Sequence, residues 1–308
     1  MSFLTSLTAW FDTNRQVETD GGDDRSVDWI RILPFVGLHL ACLGVIWVGV
    51  SPVAVAVCLA GYLLRMFAIT AFYHRYFAHR TFRVSRPVQF IAAVIGASAT
   101  QRGPLWWAAH HRHHHKAADR ADDPHSPTQG FWWSHMGWFL SRRHFAADLD
   151  QVPDLARFPE LRWLDRYDLL VPVIYAIAMF GLGAALERFM PGLGTNGWQM
   201  LVWGYFISTV VLIHVTLTIN SLAHCWGTRR YATRDHSRNN AVLAVLTLGE
   251  GWHNNHHHYP GSARQGFYWW EVDISYYVLK ALSIIGIVHN LKSVPDSIRQ
   301  ARRIRPEA

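Results

Sequence analysis

The residues of this chain best suited to chemistry are histidines, and they recur at fixed spacings. His253, His256 and His257 stand at i, i+3 and i+4 in Gly249-Glu250-Gly251-Trp252-His253-Asn254-Asn255-His256-His257. Residues so spaced share one face of a helix and can aim at a common centre. His111, His114 and His115 repeat the same triangle. Asn220 and His224, four apart, also share a face, and His74 with His79 forms an HxxxxH pair. Five residues carry a straight helix about 140° past a full turn, so His74 and His79 converge only where the helix ends or bends between them.

Nine histidines and one asparagine exceed what a single first-row ion takes, so two metals are implied. Neutral imidazole suits iron, copper, zinc or nickel, and the lack of a carboxylate at these positions argues against calcium or magnesium. Cys42, Cys58 and Cys225 form no CxxC pair, which excludes a thiolate site and a disulfide framework. Zinc hydrolysis normally uses three or four ligands and a nearby carboxylate base. Ten ligands point instead to a redox pair that activates oxygen against an inert C–H bond.

The elements that must position these residues are apolar. Runs of about 20 residues, enough to cross a bilayer, lie at about 32–50, 53–73, 169–186 and 198–219. The expected fold is an all-α integral membrane protein: four transmembrane helices under a cytoplasmic helical cap that holds the histidines. Residues 1–31 read as a cytoplasmic N-terminal arm, 32–290 as the catalytic domain and 291–308 as a basic tail. Arg and Lys concentrate before the first run, in the long middle segment and after the last run. The positive-inside rule then puts both termini and every histidine set on the cytoplasmic side. A net charge of +7 reflects this topology and not a nucleic-acid footprint.

Other histidines read as ordinary polar residues. His39 in the first run is expected to bond a neighbouring helix as a neutral ring. His125, His135, His144, His214, His236 and His289 are expected to be satisfied without metal, and His110, His113 and His258 to support the triangles or lie at the surface.

HRYFAHRTF at 74–82, HRHHH at 111–115, NSLAH at 220–224 and GEGWHNNHH at 249–257 resemble the membrane acyl-CoA delta-9 desaturases of the stearoyl-CoA type. The resemblance runs in order from about residue 33 to 287. It implies two iron ions held by His74, His79, His111, His114, His115, His224, His253, His256 and His257, with Asn220 in an outer, water-bridged role. It further implies O2 as co-substrate and a cis double bond introduced into a saturated acyl chain. Arg142 and Arg143 match residues that contact CoA phosphates, and Tyr62 and Met66 match positions near the closed end of the acyl tunnel. A bulky Met66 favours palmitoyl over stearoyl chains. Ala109 and His110 stand where the animal enzymes carry an Arg-Asp pair that holds CoA, so the carrier stays open between CoA, acyl carrier protein and a glycerolipid. Electrons are expected from a separate ferredoxin, cytochrome b5 or reductase. The excess of Arg over Lys suggests a bacterial inner-membrane protein.

Two other readings remain. A sister di-iron enzyme would hydroxylate an alkane or lipid, or decarboxylate a fatty acid, from the same ligands. A metal transporter would line its spans with histidine, whereas only His39 and His214 lie in the spans.

Overall fold

The computed structural model describes residues 11–13, 25–27, 29 and 32–304. Most of the expected N-terminal arm lies outside these residues, as does the end of the basic tail. Among the described residues the chain is helical, with only isolated bridges such as Arg83 with His289 and no strand.

Three helices are long and apolar enough to cross a membrane: Pro52–Ala78, Leu170–Phe189 and Gly197–Cys225. Ser51 and Pro52 open the first of these. The Ser51 hydroxyl accepts the Ala54 N–H at 3.1 Å, and Pro52 needs no partner for a missing N–H. Large apolar side chains point outward along the bundle, among them Ile46, Trp47, Leu59 and Ile177. A surface of this kind is covered by lipid and not by water.

The run expected at 32–50 forms Leu33–Val48, apolar but shorter than the other three. A 3-10 turn at Cys42–Gly44 interrupts it, and Gly49 ends it with φ +65°, a conformation that ordinary side chains avoid. Its His39 meets the expectation of a neighbouring partner: Nδ1 reaches the Phe35 carbonyl at 2.8 Å and Nε2 reaches His214 Nε2 at 2.8 Å. His214 continues to His135, and His135 to the Ser221 hydroxyl, each at 3.0 Å.

Arg65 is fully buried inside the span Pro52–Ala78 with hydroxyl and carbonyl partners. It donates to the Gly61 and Ser98 carbonyls, to Thr209 Oγ1 at 2.7 Å and to Ser208 Oγ at 2.5 Å, and it lies over the Tyr175 ring. One guanidinium therefore joins two spans and the end of the short helix Arg86–Ala97. Multiple donors in a fixed fork suit arginine to such a junction.

The non-spanning helices gather at the other end. Pro104–Ala117 and Ile274–Ile284 pack against the end of Pro52–Ala78 that carries His74, Ala241–Leu246 packs against Ser208–Asn220, and His253–His258 brings His256 to His74.

Candidate dimetal centre

From Ala68 to Ala78 the first long span is wound as a π-helix, with the His79 N–H donating to the carbonyl of His74 at 3.2 Å. Bonds from i to i+5 widen the turn and bring residues five apart onto one side. The His74 and His79 rings accordingly lie 4.9 Å apart. The convergence that a straight α-helix forbids is achieved by π winding together with the end of the helix at Ala78, which leaves His79 as its C-cap.

The second ligand-bearing helix, Pro104–Ala117, begins at Gly103, which has no side chain to cap it. Asp165 supplies the cap from a distant segment, its Oδ1 accepting Leu105 N–H at 3.0 Å and Trp106 N–H at 2.8 Å. A Cβ on Gly103 would lie 2.2 Å from that oxygen, so the cap requires glycine there. At Gly249 φ is +130° and a Cβ would collide with Asp273 and Arg75. This glycine lets the GEG stretch turn tightly into the helix His253–His258. Asn255 then anchors that helix, bonding Asn239, the Gln265 carbonyl and Glu271.

Two groups of nitrogens result. His74, His79, His111, His115 and His256 bring one ligand atom each to within 4.8 Å of one another, and so do His114, His224, His253 and His257. Nε2 atoms face each other at 3.0 Å for His74 and His256, 2.8 Å for His79 and His111, and 3.0 Å for His224 and His253. All nine histidines singled out by spacing fall in these groups, five in one and four in the other. Asn220 stands beside them, lining the two cavities described below.

Carboxylates fix the orientation of the rings from outside. His114 Nδ1 donates to Asp123 at 3.0 Å, His257 Nδ1 to Asp235 at 2.9 Å and His224 Nδ1 to Asp119 at 3.0 Å. His74 Nδ1 pairs with Glu250. A proton held on Nδ1 leaves the Nε2 lone pair free and aimed at the centre, the tautomer a metal ligand needs. Burial, then the neighbouring imidazoles, holds His111, His115, His253 and His256 well below the ordinary histidine range, so these rings are neutral. Burial opposes the charge of Asp119, but His224 holds that carboxyl down at about 2.

Arg75, fully buried, pairs with Asp273 at 2.8 Å and with Glu250 at 3.1 Å. If Arg75 is set against Asp273, the four ring-bonded carboxylates remain around the clusters. Their formal charge equals that needed to neutralise two divalent cations. Donor type, tautomer and charge all suit a pair of transition metals.

These carboxylates escaped sequence reading because each bonds the far side of a ring and none shares a spacing with the triangles. Glu250 alone stood inside a motif already singled out. His125, expected to be an ordinary polar residue, stacks on His114 with centroids 4.2 Å apart and belongs to the site.

A mostly apolar cavity of about 200 Å³, open at its mouth, leads to the clusters. Phe35, Leu38, Phe139, Ile213 and Leu217 form much of its wall, and His111, His125 and Asn220 lie at its inner end. A smaller cavity continues past Trp107 and Thr216 to Met66, Ile69 and Thr70, under His74, His114 and His253. Met66 thus lines the inner space. Tyr62 lines neither cavity, and its hydroxyl donates to the Leu246 carbonyl at 2.6 Å. Arg142 and Arg143 line neither cavity, although Leu140 and Phe145 on either side of them do. Arg102 is the arginine that reaches the wall, and it is paired with Asp168 at 2.7 Å.

An apolar cavity ending at two histidine clusters on a membrane bundle defines a class of lipid-modifying oxidoreductase. A model of the fatty acid desaturase family matches residues 50–283, and the chain belongs to that family. It is 35% identical over 285 residues to the sn-2 palmitoyl-lipid 9-desaturase of Nostoc sp., covering 91% of this chain and 95% of that protein. It is 37% identical over 279 residues to the Delta-9 acyl-lipid desaturase 1 of Arabidopsis thaliana (90% and 87%). It is 34% identical over 286 residues to the Acyl-CoA C20 Delta5-desaturase of Anemone leveillei (90% and 85%).

Proposed function

We propose that this chain introduces a cis double bond at the delta-9 position of an acyl chain that is still esterified to a membrane glycerolipid. The observation that carries this reading is the cavity. Its wall is apolar, it ends at the histidine clusters, and the arginine on it is already neutralised by Asp168. Such a mouth suits a lipid arriving from the bilayer better than the phosphate-rich head group of CoA. The names of the cyanobacterial and plant relatives support the same carrier.

Acyl-CoA is the second reading. Arg142 and Arg143 flank the Leu140 and Phe145 wall residues, and one relative is named for an acyl-CoA substrate.

Two iron ions would suit this centre: His74, His79, His111, His115 and His256 would hold one, His114, His224, His253 and His257 the other, and Asn220 would take an outer role. Bound iron would supply the redox chemistry that activates O2. The reaction consumes one O2, two electrons and two protons with the –CH2–CH2– unit, and yields –CH=CH– and two waters. The protein's own part is positional: Trp107, Thr216 and Asn220 hold the chain where the two cavities meet. Gln101 donates to Thr216 at 3.0 Å and fixes that hydroxyl. Asp119, Asp123, Asp235 and Glu250 keep protons on the outer ring nitrogens, and the mostly apolar wall receives the acyl chain.

In this reading Leu33–Val48 crosses as the fourth span, and both termini and the site face the cytoplasm of a bacterial inner membrane. Residues 32–290 form the working domain. Electrons come from a separate protein.

The test is to offer the iron-loaded protein, in nanodiscs with a reduced electron donor, either isotope-labelled phosphatidylglycerol or labelled acyl-CoA. Labelled delta-9 monoene in the lipid pool, absent for His256→Ala, supports the proposal. Label incorporated only from acyl-CoA selects the second reading, and hydroxylated or terminal-alkene products would replace desaturation with a sister reaction.

A further inference from the structure

The ligand-bearing helix His253–His258 is strapped on its outer side by residues that take no part in gathering the clusters. The fully buried Asn254 side chain accepts the backbone N–H groups of Arg230 and Tyr231, each at 2.8 Å. It also donates to the Tyr231 carbonyl at 3.1 Å. The Tyr231 ring stacks on His258, the residue after His257, with centroids 4.0 Å apart and planes 3° from parallel. The Tyr231 ring also meets that of Phe267, the residue before Tyr268, with centroids 5.8 Å apart, and its hydroxyl donates to the Arg299 carbonyl at 2.9 Å. Tyr268 stacks in turn on the exposed Trp270 at 4.8 Å. A run of rings therefore leads from the surface to the neighbour of a cluster histidine.

The outer end of this run is strongly basic. The guanidinium carbons of Arg230, Arg299 and Arg303 lie 4.6, 5.6 and 5.8 Å from the Tyr268 ring centre. Arg264 donates to the Tyr268 carbonyl at 2.9 Å. Exposed Arg302 joins them, because Ala232 N–H donates to its carbonyl and Ile304 N–H to that of Arg230, laying the two segments side by side. Two of these charges are offset, Arg230 by Glu271 at 2.6 Å and Arg299 by Asp296 at 2.5 Å, which leaves Arg264, Arg302 and Arg303 as the excess positive charge.

This inference rests on the desaturase reading, which requires two electrons from outside per turnover. We propose that Arg230, Arg264, Arg299, Arg302 and Arg303 form the docking surface for a small acidic one-electron carrier protein, and that Tyr268, Tyr231 and His258 conduct its electrons inward. Each docking event oxidises the carrier by one electron and reduces the metal centre by one. Two events serve each turnover, and no bond in the rings is made or broken. A basic rim steers an acidic partner and orients it on arrival. Trp270, Tyr268, Phe267, Tyr231 and His258 stand in succession, and the Asn254 strap fixes Tyr231 to the helix that carries the cluster histidines.

The probe is an acidic [2Fe–2S] ferredoxin, presented to the iron-loaded protein in nanodiscs. Binding is read by interferometry and ferredoxin oxidation by stopped-flow absorbance. The double variant Arg302→Glu/Arg303→Glu is expected to weaken binding about tenfold or more at low ionic strength, with the difference shrinking as salt screens the surface. Unchanged binding at low salt overturns the docking surface. Tyr231→Leu is expected to bind ferredoxin as the parent does but to oxidise it about tenfold more slowly, the partition expected of a group that affects transfer and not encounter. Tyr268→Leu, nearer the surface, repeats the test if Tyr231→Leu loses its iron. Parent-like oxidation rates in a variant that retains iron overturn the route. Dithionite, which needs no docking, reads desaturation separately: monoene formed with dithionite keeps the desaturase reading whatever the arginine and tyrosine variants do.

Discussion

The Asp165 carboxylate lies 2.8 Å from the backbone N–H of Trp106 and closes the start of the helix that carries His111, His114 and His115. A residue 59 positions away thus does the work of a missing N-cap side chain. Asp165→Ala should destabilise the protein by about 1–2 kcal/mol, as loss of a cap does. Burial pushes the Asp165 carboxyl up to about 7 against the two amide bonds that favour its charge. A raised folded-state pKa means that its stabilising contribution is full below the ordinary carboxyl range and is lost as pH rises to about 7. Asp165→Asn should therefore flatten the decline in melting temperature between weakly acid and neutral pH; an identical decline in the variant contradicts the assignment.

The carboxylates behind the histidines make a separate prediction. Asp123→Asn and Asp235→Asn remove the anions that orient His114 and His257 while leaving every ring in place. Iron affinity, read by competition with a coloured chelator, should fall about 10- to 100-fold in each. Parent-like affinity would mean that the rings hold their orientation without them.

Met66 is fully buried and lines the inner cavity. Met66→Ala should open that end and move preference from palmitoyl toward stearoyl chains. Gas chromatography of host lipids reads the ratio, and an unchanged ratio removes Met66 from the determinants of length.

Removal of metal should cost stability as well as activity. An ion that binds only the folded chain contributes about 2.7 kcal/mol when present at a hundred times its dissociation constant. Chelator treatment should lower the melting temperature and restored iron should raise it. A melting temperature indifferent to iron would deny the clusters their ions.

Both triangles could be read directly from the sequence because i, i+3 and i+4 fall on one face of any α-helix. The HxxxxH pair of His74 and His79 could be read with the condition that the helix end or bend between them; the π winding that helps to meet it is announced by no spacing. Asp119, Asp123 and Asp235 were invisible for a related reason: each joins a ring through folding of a loop, not through periodicity. The long apolar runs emerged with small shifts of boundary. The first of them, however, is ended early by Gly49, whose positive φ composition alone does not show. Arg65 could be seen only as a charge in an apolar run. That hydroxyls and carbonyls satisfy it is a property of packing between spans.

The first cluster joins His74 to His256, 182 positions later, and the second joins His114 to His257, 143 positions later. Neither can be complete while the chain is still being made short of residue 257. Loading of both clusters therefore follows synthesis of nearly the whole chain, residue 257 included. Metal shortage would thus leave a full-length chain with empty clusters, one that added metal could still complete.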